Sequence, residues 1–386
     1  MILLLIGLWL IFGILSFGIV GFHFASMYRL AKKPWKLKTD MSYSPRLSII
    51  IPTYNEGGII RLKLLNLARV DYPKSLLQFI VIDSNSDDGT FEIAKDFAAQ
   101  HSGLDFLTLS FPQKGKTKAL NFALEHATGD VIVVSDADCF YPRNILRGSL
   151  FYLSDPNVGA ISGPKILLNA GSSDVANMES RYLRFMNLVK LGESKLGLTP
   201  LFEGGFSAYK REVLGSFDPY GTGSDDCGTI LRLAEKSHNA LFVPEAMFFT
   251  AFPTTWKARV GMKVRRANQL VRVFVNYLAM SLSKRVRTAK RVIYANIFIY
   301  LLSPIFFALF LFVTMLVLFY YPYFALFLLV FLIPKVGPML IDLVQNYFVL
   351  LVGLLAVALD KRFIVWNKPA DRYLLTEDIL RRYDLI

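Results

Sequence analysis

Two long apolar blocks at the ends of the chain leave only its middle for a water-soluble domain. Met1 to Phe22 is nearly all apolar and carries no charge, and about 20 such residues are enough to cross a bilayer. A second block runs from Val292 to Leu359. These blocks exclude an ordinary soluble domain, and we expect a membrane protein with one large soluble part.

The composition agrees with a membrane protein. Hydrophobic residues make up 54% of the chain and charged residues 19%, whereas soluble domains average roughly 45–50% and 25%. The formal net charge of +13 would suit a nucleic acid or a membrane surface, and the apolar content favours the membrane, with no nucleic acid as partner. Cys139 and Cys227 are too few for a disulfide framework and are typical of a reducing compartment.

The basic residues predict how the spans are oriented. The first block lacks the basic start and cleavage site of a signal peptide, so we expect a retained span. Lysine and arginine follow it and should stay in the cytoplasm, which puts the N-terminus outside. The second block should hold the spans Ile297–Tyr320, kinked at Pro304, and Met339–Leu359. Tyr323–Ile333 is either a short span or a re-entrant segment, and the basic tail favours an even number of C-terminal crossings.

The middle of the chain alternates between strand patterns and helix patterns. This order implies an α/β domain with a mostly parallel sheet and flanking helices, in addition to transmembrane helices at both ends. Such sheets bind ligands at the carboxyl ends of their strands, which is where the polar clusters of this sequence lie. We predict strands at Leu47–Ile51, Phe79–Ile82, Leu104–Leu109 and Val131–Val134, and helices at Ile59–Leu67, Thr90–Ala99 and Thr117–His126.

Three of these polar clusters carry chemistry. Asp136 and Asp138 leave the end of a predicted strand, and paired carboxylates there suit a hard divalent ion that also touches phosphates. Asp83 ends another strand and could accept a hydrogen bond from a nucleobase or ribose, although turn chemistry explains Ser84–Gly89 equally well. Lys116, with its basic neighbours, indicates either an anion site before a helix or a solvated loop.

Six motifs occur in a defined order: Pro52-Thr53-Tyr54-Asn55-Glu56, Asp83 to Thr90, Gly115 to Asn121, Asp136-Ala137-Asp138, Glu203 to Lys210, and Ser224-Asp225-Asp226. As a set they resemble family 2 glycosyltransferases of the GT-A fold, over residues 46–266. The last motif resembles the Thr-Glu-Asp motif of membrane-bound members such as cellulose, hyaluronan and poly-N-acetylglucosamine synthases and ceramide glucosyltransferase. No single motif would carry the resemblance alone.

The resemblance implies a role for each motif. Asp83 would bind the nucleoside, while Asp136 and Asp138 would hold the sugar-nucleotide diphosphate, Asp138 through Mg²⁺ or Mn²⁺. Asp226 would be the general base on the acceptor hydroxyl; Asp225 is the alternative base, and a helix N-cap is the structural alternative for the pair. The acceptor is expected at Glu203, Gly204 and Gly205, and further nucleotide-sugar contacts at Pro52, Thr53, Tyr54, Glu56, Lys116, Asn121, Arg265 and Arg266.

One motif departs from the pattern of polymer-making relatives, which carry Gln-x-x-Arg-Trp. The matching stretch here has Met262 in place of Gln and Arg266 in place of Trp. A Gln-x-x-Arg does occur from Gln269 to Arg272, but Val273 follows it. In those relatives the Trp stacks on the acceptor sugar, so its replacement favours transfer of a single sugar.

The segment that contains this stretch is expected to form basic amphipathic helices in the membrane interface. Between Lys257 and Arg291 the chain has eleven basic residues and no acidic one. Such a segment would attract anionic lipid head groups. Plain positive flanking of the next span is the simpler alternative.

Together these features predict a metal-dependent, inverting hexosyl- or N-acetylhexosaminyltransferase, multi-pass in the cell membrane, with its catalytic domain in the cytoplasm. It would move one sugar from a nucleotide-sugar, with a UDP-sugar favoured over a GDP-sugar, to a lipid or lipid-linked acceptor. A processive polysaccharide synthase, a polyprenyl-phosphate sugar synthase and a non-catalytic scaffold remain as alternatives. The expected divisions are residues 1–28, a transmembrane helix; 45–252, the GT-A domain; 253–291, interfacial helices; 292–360, the C-terminal spans; and 361–386, a cytoplasmic tail.

Overall fold

The computed structural model describes residues 2–334, 336–363 and 374–386, so part of the predicted tail lies outside the described residues. The strands are β1 Leu47–Thr53, β2 Leu77–Asp83, β3 Asp105–Ser110, β4 Val131–Val134, β5 Val158–Ser162, β6 Lys165–Leu167, β7 Ser207–Lys210, β8 Asn239–Phe242 and β9 Phe248–Thr250. The helices are α1 Ile2–Gly13, α2 Ile19–Ala31, α3 Ile60–Ala68, α4 Thr90–Gln100, α5 Lys116–Glu125, α6 Ile145–Ser149, α7 Asp174–Ser194, α8 Arg211–Leu214, α9 Cys227–Glu235, α10 Trp256–Leu282, α11 Lys290–Ile297, α12 Ser303–Tyr320, α13 Val336–Ala358 and α14 Glu377–Arg382.

The predicted α/β architecture is confirmed. The main sheet has the order β3-β2-β1-β4-β7-β5-β8, and β6 pairs with β9 in a second, two-stranded sheet. Strands β1 to β4 pair in parallel, as do β5 and β8, whereas β7 runs antiparallel to both of its neighbours. The four predicted strands and three predicted helices are all present with closely similar bounds.

Side chains alternate between the two faces of the sheet, and each face packs into its own apolar cluster. Ile50 and Ile80 lie in one cluster, while Ile49 and Phe79 lie in the other. This alternation is the period-2 pattern of a strand buried on both sides. The first cluster also contains Phe274 of α10. The core of the α/β domain is therefore continuous with α10.

Three described helices are long and apolar enough to cross a membrane: Ile2–Ala31, Lys290–Tyr320 and Leu340–Ala358. The second is interrupted by a π-helical turn at Phe298–Leu302, directly before Pro304, because proline lacks the N–H that would continue the α-helical bonding. Pro322–Leu332 forms a 3₁₀ helix, which at about 2 Å per residue is shorter than the bilayer core.

The basic segment from Lys257 to Arg291 is expected to face the membrane interface, but two of its basic residues are buried inside the protein. It forms α10 and then breaks before α11. Arg259 is fully buried and pairs with Glu179 at 3.2 Å and with Asp342 at 3.1 Å. Lys263 is also buried and donates to Asn346 at 3.0 Å. These two cations join α7, α10 and α13 inside the protein, so the expectation that they face lipid head groups is wrong for them.

Candidate active site

The carboxyl edge of the parallel strands opens into a cleft of about 880 Å³. Thr53 and Asp83 are register partners where β1 and β2 end, and Asp136 follows the end of β4. Motifs from Pro52 to Asp226, far apart in sequence, meet here. The predicted site residues that line the cleft are Pro52, Thr53, Tyr54, Glu56, Lys116, Asp136, Asp138, Glu203, Gly204, Gly205, Asp225, Asp226, Arg265 and Arg266.

Lys116 joins two of the acidic motifs. Its Nζ lies 2.7 Å from Oδ1 of Asp136 and 2.8 Å from Oδ2 of Asp225. Burial alone would lower the pKa of this amine, but the charges of Asp136 and Asp225 outweigh burial and raise the pKa above its ordinary value. Lys116 is therefore a permanent cation between the two carboxylates, and the solvated-loop alternative does not describe it.

The adjacent acids Asp225 and Asp226 have different partners. Burial raises the pKa of the Asp225 carboxyl, Lys116 opposes this, and the charge of Asp226 adds to it, so that the pKa is about 6. Asp226 accepts hydrogen bonds at Oδ1 from the main chain of Cys227, at 2.6 Å, and from the hydroxyl of Ser224. The N-cap alternative is thus correct for one oxygen of Asp226, because that oxygen caps α9.

The other oxygen of Asp226 faces the point where the motifs converge. A Cβ atom at Gly204 would lie 3.6 Å from Asp226 Oδ2, 3.3 Å from Asp136 Oδ2 and 3.2 Å from Lys116 Nζ. All three groups therefore surround the small volume that the missing side chain leaves. Of the two neighbouring acids, Asp226 has the geometry of a base that is open to the cleft, whereas Asp225 is held by Lys116.

Gly205 is required for packing. A Cβ atom there would lie only 2.1 Å from Cε2 of Phe248 and 2.7 Å from Sγ of Cys139. Such distances cannot be accommodated unless these side chains or the backbone move. Gly204 and Gly205 therefore have separate reasons for lacking a side chain, the first facing the cleft and the second facing the core.

Glu203 is bound to two protein cations. Its carboxylate contacts Lys190 and, at 3.1 Å, Lys165. Burial would raise the pKa of Glu203, but Lys165, Lys190 and Arg266 outweigh it and hold the pKa well below its usual range. Its main-chain N–H donates to Ser162 Oγ at 3.1 Å. Glu203 is thus a fixed negative charge that anchors the chain before Gly204.

Asp136 and Asp138 meet the requirements for a divalent ion. Together with Cys139 they form a group of three possible metal ligands whose donor atoms all lie within 4.8 Å of one another. Among the described residues, no other group of three or more His, Cys, Asp or Glu side chains meets this distance. Carboxylate oxygens are the ligands that Mg²⁺ and Mn²⁺ prefer. Burial and the charges of Asp138 and Asp136 raise the pKa of the Cys139 thiol well above its ordinary value, so the thiol keeps its proton. The donor set fits Mg²⁺ or Mn²⁺ on the two carboxylates.

Two predicted residues, Asp83 and Asn121, do not belong to the cleft lining. Asp83 is buried and accepts hydrogen bonds from Thr53 Oγ1 at 3.0 Å and from the main chain of Ser86 at 2.9 Å. Asn121 binds both main-chain groups of Phe217, at 2.8 and 3.1 Å. Both side chains fix loops that border the cleft, and their direct contact with a nucleotide stays a prediction.

Part of the cleft lining comes from the membrane-associated helices, and we did not predict these residues from the sequence. They are Tyr300 in the π-helical turn, Arg272 on α10, and Arg362 and Phe363 after α13. Arg272 also donates to the main-chain oxygen of Lys361 at 3.1 Å. Nothing in the local sequence pattern of Tyr300 or Phe363 distinguishes them from other aromatic residues of the spans.

Gln269 is a further unpredicted residue of the site. It lies on α10 and lines the cleft. Its Nε2 donates to the main-chain oxygen of Gly223, just before Ser224-Asp225-Asp226, at 2.6 Å. The Gln269–Arg272 pattern was the available signal, because its two ends lie one helical turn apart and so share a face.

The comparisons with known proteins agree with this geometry. Residues 48–217 match the family model "Glycosyl transferase family 2". The chain is similar to the mannosyltransferase PcManGT from Pyrobaculum calidifontis, solved in complex with GDP-Man and Mn²⁺, with a TM-score of 0.80 and 28% identity over 93% of this chain and 100% of that one.

Two curated relatives are similar over about three fifths of this chain. The "Probable glycosyltransferase YdaM" of Bacillus subtilis is 28% identical over 61% of this chain and 58% of its own length. An N-acetylglucosaminyltransferase of Rhizobium meliloti is 26% identical over 59% of this chain and 56% of its own length. The chain thus spans a little over half the length of the curated relatives it matches.

Proposed function

We propose that this chain, whose residues 48–217 match the family model of the family 2 glycosyl transferases, is an integral-membrane, inverting glycosyltransferase that transfers one sugar from a nucleotide-sugar to a lipid-linked acceptor. The donor would occupy the strand-end part of the cleft, near Asp136 and Asp138. The acceptor would enter from the part lined by the membrane-associated helices.

One observation carries the proposal for a lipid acceptor. The cleft that holds Asp136 and Asp226 is also lined by Tyr300, which belongs to a candidate membrane span, and by Phe363, which follows another. A head group can therefore reach the carboxylates while its apolar chain stays beside the spans. A water-soluble acceptor would have no use for this connection.

The charge of the membrane side favours an acceptor carried on phosphate or diphosphate. Arg272 and Arg362 both line the cleft, and guanidinium groups pair with phosphate through two parallel hydrogen bonds. Both arginines form an ion pair with the carboxylate of Asp360, Arg272 at 3.3 Å and Arg362 at 3.9 Å. The Asp360 side chain is 82% exposed. Water screens so exposed an acid, which leaves the arginines available to an anion.

The proposed reaction is a direct displacement at the anomeric carbon. The acceptor hydroxyl oxygen attacks that carbon as the bond to the diphosphate oxygen breaks, and the diphosphate leaves with the bond's electron pair. Asp226 Oδ2 takes the hydroxyl proton. Hydrogen bonds from Ser224 and Cys227 hold the opposite oxygen of this carboxylate, which fixes its direction.

The chain's own cations and acids prepare this step. Lys116 keeps Asp136 and Asp225 in place and adds positive charge near the leaving group. Asp136 and Asp138 would hold Mg²⁺ or Mn²⁺, which supplies additional neutralisation of the diphosphate. A positive charge placed where negative charge develops is usually the largest single contribution to such catalysis.

We further propose that the catalytic domain lies in the cytoplasm with the N-terminus outside. The basic residues after the first span support this orientation. The tail segment 374–386 contacts the catalytic domain, because the main-chain oxygen of Leu385 accepts a hydrogen bond from Asn66. With the described spans Lys290–Tyr320 and Leu340–Ala358 between them, the catalytic domain and the tail are then on the same side of the membrane.

The proposal is tested by transfer of labelled sugar to lipid by the purified protein in mixed lipids. UDP-glucose, UDP-N-acetylglucosamine and GDP-mannose are offered with Mn²⁺, the last because the similar Pyrobaculum enzyme is solved with GDP-Man. Phosphate-linked and neutral glycolipids are offered as acceptors. The expected result is one donor, one product of single-sugar length, and a preference for the phosphate-linked lipid.

Two other results would overturn the proposal. Long polymer would favour a processive synthase. Absence of turnover with every donor, together with unchanged behaviour of Asp138→Ala, would favour a scaffold.

The role of Arg272 in binding the acceptor is tested by Arg272→Gln, which should weaken binding of the phosphate-linked acceptor. Arg285→Gln is the matched control and should bind that acceptor like the parent, since Arg285 follows the same helix but pairs with Glu235 outside the cleft.

A further inference from the structure

The three residues after Asp138 are held from several sides. Lys63 of α3, which has no exposed surface, donates to the main-chain oxygen of Cys139 and lies 4.0 Å from the centre of the Tyr141 ring. Phe140 exchanges two main-chain hydrogen bonds with Phe249, at 2.7 and 2.8 Å. Each bond restricts the chain that leaves the candidate metal-binding pair.

Tyr141 completes this support and extends it across the cleft. Its main-chain N–H donates to Asn66 Oδ1 and its main-chain oxygen accepts from Asn66 Nδ2, both at 2.8 Å. Its hydroxyl donates to the main-chain oxygen of Gly205 at 2.8 Å. The segment after Asp138 is therefore tied to α3 on one side and to the Gly204–Gly205 turn on the other.

The tail segment 374–386 packs on the same support. Leu375, Leu380 and Leu385 are buried in a cluster with Phe140 and Ile59. The same Asn66 Nδ2 that binds Tyr141 also donates to the main-chain oxygen of Leu385, at 2.6 Å. One amide group of α3 thus contacts both the metal-site segment and the tail.

Two exposed ion pairs lie at the surface side of the tail, where water screens them. Asp384 lies 2.9 Å from Arg69, directly after α3, and 3.9 Å from Arg143, which follows Tyr141 by two residues. Asp384 has a φ of 53°, a left-handed conformation that aspartate adopts more readily than most residues. The turn directs Leu385 back into the cluster, where its main-chain N–H donates to Leu380 at 2.9 Å.

We propose that Lys63 and Asn66 are positioning residues for the Asp136–Asp138 metal site and that segment 374–386 is a strap that keeps them and Phe140 in place. The inference rests on the assignment of Asp136 and Asp138 as metal ligands in the proposed function. Removing residues that orient the ligands of a metal ion typically weakens the protein's affinity for that ion 10- to 100-fold. The strap would thus couple the chain beyond the third span to the metal site.

The test measures Mn²⁺ binding to the full-length protein without any donor, by electron paramagnetic resonance of the free ion. Leu380→Ser removes a fully buried contact of the strap, and Arg381→Ser, at a neighbouring exposed position, is the matched control. We expect the Leu380 variant to bind Mn²⁺ about tenfold more weakly and the control to bind like the parent. Hydrogen exchange of the Cys139, Phe140 and Tyr141 amides should accelerate in the Leu380 variant only.

Two further variants keep the inference open to refutation if Leu380→Ser fails to fold. Asn66→Ala removes the amide that contacts both Tyr141 and Leu385, and Arg69→Gln with Arg143→Gln removes both ion pairs of Asp384 without changing the core. Release of the strap, seen by hydrogen exchange, with unchanged Mn²⁺ affinity would overturn the inference. Parent-like Mn²⁺ affinity in Asp138→Ala would instead overturn the metal assignment, so the two failures are distinguishable.

Discussion

Gln269 of helix α10 donates a hydrogen bond to the main-chain oxygen of Gly223 at 2.6 Å. Gly223 has a φ of 83°, and its N–H is bound by Asp218 at 2.7 Å. The loop that carries Asp225 and Asp226 is therefore fixed from both sides of this glycine. Through this contact α10 helps to position the loop that carries the candidate base.

Replacing Gln269 by alanine should lower kcat with little change in the KM for the donor. The change frees the loop before Asp226, and a misplacement of about 1 Å can cost roughly 100-fold in rate, whereas Asp136 and Asp138 are not touched. Steady-state kinetics with varied donor measures both constants. Gln100→Ala, at an exposed position on α4, is the control, and a rise in donor KM without loss of kcat would contradict the positioning role.

Alanine at the two adjacent glycines should give opposite phenotypes. Gly205→Ala places a methyl group 2.1 Å from Phe248, and such overpacking costs about 1–3 kcal/mol of unfolding free energy. Gly204→Ala should fold normally but lose activity, because its methyl group occupies the space between Lys116, Asp136 and Asp226. Thermal unfolding and transfer rates separate the two effects.

Gly103→Ala is the control for this pair, since nothing lies within 4 Å of the added atom. It should match the parent in both stability and activity. An active Gly204→Ala enzyme would show that this space is not used by the reacting groups. A fully stable Gly205→Ala protein would show that the contact with Phe248 relaxes easily.

The transfer rate should fall as the pH drops through about 6. Burial raises the pKa of Asp225 to about 6, so the carboxyl takes up a proton in that range and its ion pair with Lys116 is lost. Asp225→Asn lacks the pair at every pH and should therefore be slower with no inflection near 6. A parent-like inflection in this variant would assign the titration to another group.

The same shift has a definite sign in the unfolding free energy. Because the pKa of Asp225 is higher in the folded protein than the unperturbed value of about 3.9, this group stabilises the fold at low pH. That contribution is lost as the pH rises through about 6. The unfolding temperature of Asp225→Asn relative to the parent should therefore increase between pH 4.5 and pH 7.

Breaking the buried ion-pair network of α10 should destabilise the whole protein. Arg259→Met leaves Glu179 and Asp342 without their shared cation, and removing one partner of a buried pair costs about 3–5 kcal/mol. Thermal unfolding in detergent measures the loss. Arg285→Met, at a half-exposed position, should cost little, and adding Glu179→Gln to Arg259→Met should recover part of the loss.

Much of the parallel half of the fold could be predicted from the sequence because its strands are short, continuous apolar runs bounded by turn residues. β1, β2 and β4 are of this kind, and each ends in the polar motif that reaches the cleft. β7 could not be placed, since its antiparallel insertion between β4 and β5 depends on long-range pairing that local patterns do not record.

The site was predictable where a motif supplies the side chain that faces the cleft, as at Lys116, Asp136 and Asp226. It was not predictable where tertiary packing decides which atoms are available. Asp83 and Glu203 are acidic motif residues, yet their carboxylates are bound by the protein itself. Tyr300, which lines the cleft, lies in a π-helical turn of its span that the local sequence pattern does not predict.

The most direct test of the account is the transfer rate of Asp226→Asn, measured beside donor affinity in the same preparation. Asparagine keeps the size of the side chain but cannot take up the acceptor proton. A positioned base contributes roughly 100- to 10,000-fold, so we predict a loss of that order with donor affinity unchanged. Transfer at the parent rate by Asp226→Asn would contradict the assignment of Asp226 as the base and the reading of this cleft as a site of sugar transfer to a hydroxyl.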